Sequence, residues 1–170
     1  MTTRRRRTAP SRPTRRTPGP ELVERIDVDA PPERVWAVLT DWEAQGKWML
    51  ATDVRTVGDS AQRLHGRLAA RTGLPLPGGR HVGILDTMIV TKWEPPRLVE
   101  VQHTGRLIRG PGIFEIEPRG EHATLVWTER LYLPYGYLGE VGWFLVRPFA
   151  LSGIRRSLRR FARFAADKPR

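Results

Sequence analysis

From Glu21 the chain mixes Val23, Ile26 and Val28 with Glu24, Arg25, Asp27 and Asp29, close to the period-2 alternation of a half-buried strand. Ala30-Pro31-Pro32-Glu33 follows, and proline at the first helical position with an acid in the first turn predicts a helix start. Val35, Trp36 and Leu39 share one face of that short helix. Asp41 is a second candidate N-cap, for another short helical piece through about Lys47. Beyond Met49 the pattern predicts six strands, over roughly 52–58, 62–72, 80–93, 97–106, 110–118 and 121–133. Between them stand Gly58-Asp59-Ser60, the run from Gly73 to Gly79, Glu94-Pro95-Pro96 and Pro118-Arg119-Gly120, all turn chemistry. Such short connections imply an antiparallel meander, and the missing strand–helix–strand rhythm argues against a Rossmann or α/β barrel enzyme.

The last segment, from about Leu138, changes period. Leu151, Ile154, Leu158, Phe161 and Ala165 recur at steps of three and four, one apolar stripe of a long helix, while Arg155, Arg156, Arg159, Arg160 and Arg163 fill the remaining surface. Pro148 is expected to kink or divide this helix, and Gly139, Gly142 and Gly153 to weaken it. The longest apolar run nearby, Val141 to Val146, is interrupted by Gly142, flanked by Glu140 and Arg147, and far too short to span a bilayer.

Charge alters this picture only at the ends. The formal net charge is +11, of which residues 1–20 contribute +7 and residues 147–170 another +7, leaving −3 for the body. Residues 1–20 combine seven Arg with Thr and Pro, and such a segment is expected to be disordered because it cannot bury enough apolar surface to offset its ordering entropy. Arg15-Arg16 looks like part of a twin-arginine export signal, but the charged ELVERIDVDA that follows is no apolar core for one. With no Cys, disulfides, thiol nucleophiles and Cys-ligated metals are excluded, and a cytoplasmic location is expected. The expected organisation is a basic tail over 1–20, one domain over 21–167 and a short tail over 168–170.

That order of elements, with Ile26-Asp-Val-Asp-Ala-Pro-Pro-Glu-Arg-Val-Trp36, Leu39, Asp41, Trp48, Asp86-Thr-Met-Ile-Val90, Trp93-Glu-Pro-Pro96, His103-Thr-Gly-Arg106 and Trp127-Thr-Glu129, resembles the START-like (SRPBCC, Bet v 1-like) helix-grip superfamily, which includes polyketide cyclase/dehydrase-like and lipid-transfer proteins. The resemblance covers about residues 21–166. It implies an α+β fold in which a curved antiparallel sheet of about seven strands, with two short helices after the first, grips the long C-terminal helix around a cavity. It does not imply one activity, since the superfamily contains carriers, sensors and enzymes.

Strand parity independently selects residues for that cavity. In 80–93 one face reads Val82, Ile84, Asp86, Met88, Val90; in 97–106 it reads Val99, Val101, His103; in 121–133 it reads Ala123, Leu125, Trp127, Glu129, Leu131. Each strand thus places one ionisable group, Asp86, His103 or Glu129, on an otherwise apolar face. Burying any of them alone costs several kcal/mol. They either hydrogen-bond one another for stability, or form the convergent polar groups of a ligand pocket, or are turned outward by a bulge. Trp36, Ile84, Met88, Val101, Phe114, Trp127 and Trp143 are the candidate apolar ligand contacts. Trp36, Met88, Phe114 and Trp127 equally suit the core, and Trp143 with Phe144 suits a cavity entrance or a membrane-facing lip. Residues 74–79 suit a hairpin turn or a lid over the mouth.

Metal chemistry is not expected: His65, His81, His103 and His122 are scattered, with no i, i+4 pair. No phosphate-binding loop or Gly-x-Ser-x-Gly elbow occurs, and no cofactor is implied. If catalytic, the chain would use His103 with Asp86 and Glu129 for proton abstraction beside a carbonyl and loss of water. Three readings follow: binding or carriage of a small to medium hydrophobic molecule; a cyclase or dehydratase of polyketide-like substrates; or a peripheral module whose basic tail and C-terminal helix meet nucleic acid or anionic membrane.

Overall fold

The computed structural model describes residues 20–59, 61–76, 80–105, 108–132 and 137–167. The expected tails, and residues 77–79 of the suggested lid, lie outside the described residues. Strand β1 (Glu21–Val28) leads into helix α1 (Pro32–Thr40), with Pro32 in its first turn as the sequence predicts. The Asp41 carboxylate accepts from the Ala44 N–H at 3.3 Å in the turn after α1, but the second helix shrinks to one 3-10 turn over Gln45–Lys47, whose N-cap is Ala44 and not Asp41. Six strands follow: β2 (Thr52–Val57), β3 (Arg67–Leu76), β4 (Arg80–Glu94), β5 (Leu98–His103), β6 (Gly110–Arg119) and β7 (His122–Arg130). Helix α2 (Tyr137–Ala166) ends the fold.

All strands pair antiparallel in one sheet, in the order β1-β7-β6-β5-β4-β3-β2. The meander expected from short turns is therefore β2 to β7, and β1 closes against the last strand. Four boundaries differ from expectation by three residues or more, one of them the end of β3, which runs on to Leu76 instead of stopping at 72. The strand expected over 62–72 starts only at Arg67, because His65 takes a positive φ and the backbone there binds Val90 from outside the ladder, His65 N–H to the Val90 carbonyl and Val90 N–H to that of Gly66. The strand expected through Arg106 ends at His103, and the one expected through Leu133 ends at Arg130. Pro148 does not divide α2. It lies on an exposed stretch, where water can serve the carbonyl that its missing N–H leaves free.

The apolar stripe of α2 docks as its period predicts, with Leu158, Phe161 and Ala165 buried against the concave face of the sheet and the inner side of α1. Trp48 and Phe161 meet edge to face at 4.9 Å in the middle of this contact. The preceding half of the helix is different: Val141, Phe144, Leu145, Val146 and Phe149 are exposed, Phe144 and Phe149 by 78% each. No helix among the described residues is long and apolar enough to cross a membrane.

Candidate functional site

Between the sheet and α2 lies a cavity of about 440 Å³, walled by Leu68 and Ala70 of β3, Asp86 and Met88 of β4, Val101 and His103 of β5, Phe114 of β6, and Trp127 and Glu129 of β7. Ala150, Gly153, Ile154 and Ser157 of α2 close it on one side, and Trp42, Gln45 and Met49 at one end. Its walls are almost wholly apolar. Its uncharged polar lining residues are Gln45, Thr52, Thr72 and Ser157, and its ionisable ones are the cluster of Asp86, His103 and Glu129.

Local sequence and register together build that cluster. The bulge in β4 falls between Val90 and Lys92, beyond Met88, so it leaves Asp86 on the inner face. Met88 pairs with His103 across β4 and β5, which brings Asp86 beside the imidazole. Glu129 is two strands away from His103, with β6 between, a separation of roughly 10 Å. The gap is bridged because β6 presents Gly112 where a side chain would intervene: Gly112 pairs with Val101 on one side and Glu129 on the other. A Cβ there would stand 3.0 Å from Glu129 Oε1 and 3.1 Å from His103 Nε2. Gly105 performs the same service at the other end, since a Cβ on it would be 2.8 Å from Asp86 Oδ1.

In the resulting geometry His103 Nδ1–H donates to Asp86 Oδ2 at 2.5 Å, and Nε2 lies 3.3 Å from Glu129 Oε2, a charge contact without hydrogen-bond alignment. Trp127 Nε1–H fixes the glutamate by donating to Oε1 at 2.7 Å. Burial alone would lower the His103 pKa, but the hydrogen bond to Asp86 and the close contact and charge of Glu129 outweigh it and push the imidazole up to about 10. At neutral pH the cluster therefore holds an imidazolium between two carboxyl groups. Asp86 Oδ1 and Glu129 Oε2 are buried without a hydrogen-bond partner. Among the described residues no group of three or more acidic or histidine side chains is arranged to hold a metal ion.

Substituting Gly112 by Ala tests this packing. The added methyl must displace the carboxylate or the imidazole by a few tenths of an ångström, so G112A is expected to lose about 1–3 kcal/mol in urea unfolding, although alanine is ordinarily the better strand residue. A variant as stable as the parent would show that the cluster yields freely.

Of the candidate site residues, Asp86, Met88, Val101, His103, Phe114, Trp127 and Glu129 lie together on the cavity wall. Trp36, Ile84 and Trp143 are not among its lining residues. Trp36 is half-buried under the sheet's other end, edge-on to Trp93 with ring centroids 4.9 Å apart. Ile84 shares the face of Asp86 and Met88 but is 41% exposed, because β3 and β4 run out past the covering helix. Trp143 is half-buried in the largely exposed first half of α2. Sequence reasoning missed Leu68 and Ala70, which alternation along β3 would have found, and Trp42, Gln45 and Met49, for which a turn offers no parity. It also missed Gly112, whose signal was a glycine at an inward position of a strand.

The family described as polyketide cyclase/dehydrase and lipid transport matches residues 20–166. No curated protein matches the chain. Among solved structures the fold is similar to that of an aromatase/cyclase from Streptomyces sp. R1128, with 14% sequence identity and a TM-score of 0.70 over 86% of this chain and 93% of that one. It is also similar to a protein of Thermus thermophilus, at 20% identity and a TM-score of 0.67 over 86% of this chain and 97% of that one. A third, from Rhodobacter sphaeroides, has 18% identity and a TM-score of 0.65 over 88% of this chain and 95% of that one. At such identities these likenesses speak for the fold, a helix-grip sheet around a long C-terminal helix. The family match spans every element from β1 to the last turn of α2, and the chain belongs to the polyketide cyclase/dehydrase and lipid transport family.

Proposed function

We propose that this protein binds and carries a small to medium hydrophobic molecule in the cavity between its sheet and α2. The observation that carries this reading is a largely apolar cavity of about 440 Å³ whose three ionisable groups are gathered at one place on its wall. Membership in a family that includes lipid transport supports it. Titration with the neutral fluorescent probe N-phenyl-1-naphthylamine is expected to show saturable, single-site binding. Ala150→Trp, which fills the cavity from the helix side, is expected to weaken it about tenfold or more with the thermal midpoint little changed. Absence of saturable binding, or equal binding by A150W, would overturn the reading.

A second reading, a cyclase or dehydratase acting on polyketide-like substrates, is favoured by the placing of His103 and Glu129 on the cavity wall and by the fold likeness to an aromatase/cyclase. Against it stands the protonation of His103: an imidazole that keeps its proton up to about pH 10 is a weak proton acceptor at neutral pH, so abstraction would fall to Asp86 or Glu129. Unchanged turnover of a candidate substrate by both His103→Ala and Glu129→Ala would eliminate this reading.

A further inference from the structure

The cavity wall carries a charge that its own residues do not balance. Asp86 and Glu129 bring two carboxyl groups to it and His103 brings one cation, while no Lys or Arg is among its described lining residues. Asp86 Oδ1 is buried and accepts no hydrogen bond, and Glu129 Oε2, also buried, has only its unaligned 3.3 Å contact with His103 Nε2, which is itself without a hydrogen bond. The other two carboxyl oxygens are taken, Oδ2 by His103 and Oε1 by Trp127. A buried acceptor left unpaired costs about 1–3 kcal/mol, and more when it is charged. A ligand that donates to these oxygens recovers that cost, and a cationic donor also cancels the surplus negative charge. An anionic ligand end would meet two carboxyl groups against the single cation of His103. The unpaired indole N–H of Trp42, which also lines the cavity, is a neutral donor and leaves this sign preference unaltered.

We propose that the molecule this cavity accepts has an apolar body and a single protonated amine, which docks against Asp86 Oδ1 and Glu129 Oε2. This rests on the reading of the cavity as a ligand site and adds the chemical class of the ligand. The geometry of the wall supports the assignment at one further point: Trp127, by donating to Oε1, holds the Glu129 side chain in place for an incoming group.

The test is displacement of N-phenyl-1-naphthylamine from the full chain at pH 7 by decylamine, decanol and decanoate, three ligands with the same tail, each below its micelle concentration. Decylamine is expected to compete at a concentration about tenfold below that of decanol, with decanoate weakest. Glu129→Gln, or Asp86→Asn if the first variant folds poorly, removes one negative charge and is expected to bring decylamine to within about threefold of decanol. If decanol or decanoate competes as well as decylamine, or if both charge-removing variants keep the full amine preference, the ligand class is wrong while the cavity reading stands. If the probe does not bind the parent chain, or binds A150W as well, the cavity reading fails and this inference fails with it.

Discussion

Replacing Trp48 with alanine is expected to cost about 3–5 kcal/mol, the range for deleting a large aromatic from a packed core. The ring is fully buried at the junction of the 3-10 turn and α2, and its edge-to-face partner Phe161 is equally buried. Removing it leaves a void that neither element can close: the turn is tied to Leu39 by Gln45, whose side-chain amide donates to the Leu39 carbonyl, and the last turns of α2 are held by Leu158 and Ala165. A domain of this size has about 5–15 kcal/mol in total, so W48A should be folded only marginally, with a urea midpoint far below that of the parent. Trp48→Phe, which keeps the ring contact, should lose less. The double variant W48A/F161A should lose less than the sum of the singles by about 0.5–1.5 kcal/mol, the worth of the aromatic pair. A W48A midpoint within experimental error of the parent would refute the placement of this residue at the centre of the helix grip.

The second large effect concerns His103. Its removal in His103→Ala takes the cation out from between two buried carboxyl groups, and breaking a buried ion pair in this way is expected to cost about 3–5 kcal/mol. The parent should also show a pH dependence that the variant lacks. The imidazole pKa is near 6.5 in the unfolded chain and raised to about 10 in the folded one, so the folded state binds the proton more tightly. The stability this supplies is fully present below about pH 6.5 and is lost progressively as pH rises through 10. Urea midpoints at pH 6, 8 and 10 should therefore fall for the parent by more than they do for H103A, a comparison that subtracts the titration of groups outside the cluster. Parallel pH profiles would show that His103 is not held as an imidazolium. The same protonation bears on function, because it makes His103 a fixed counter-charge rather than a proton acceptor at neutral pH.

These two sites differ in how openly the sequence displays them. The stripe Leu151, Ile154, Leu158, Phe161, Ala165 announces the helix and its buried face, because a helical period is local and survives translation into three dimensions. The alternation in β4, β5 and β7 likewise singles out Asp86, His103 and Glu129 as inward polar groups, since side-chain parity is a property of each strand alone. What parity does not carry is extent. Ile84 and Asp86 obey the same alternation, yet one is largely in water and the other in the cavity wall, because the length of β4 that α2 covers is set by where the helix lies and not by β4.

By itself, then, the sequence determined the element order, the antiparallel meander, the long amphipathic helix and the inward faces of the strands, all of which follow from short-range periodicity and turn chemistry. Tertiary structure decided that β1 pairs with β7, that a glycine on the intervening strand lets His103 and Glu129 reach each other, and that Trp36 stays out of the cavity. It also decided the charge of His103, since an imidazole 17 residues from one carboxyl group and 26 from the other is held protonated only when strand register sets the three side by side in the buried interior.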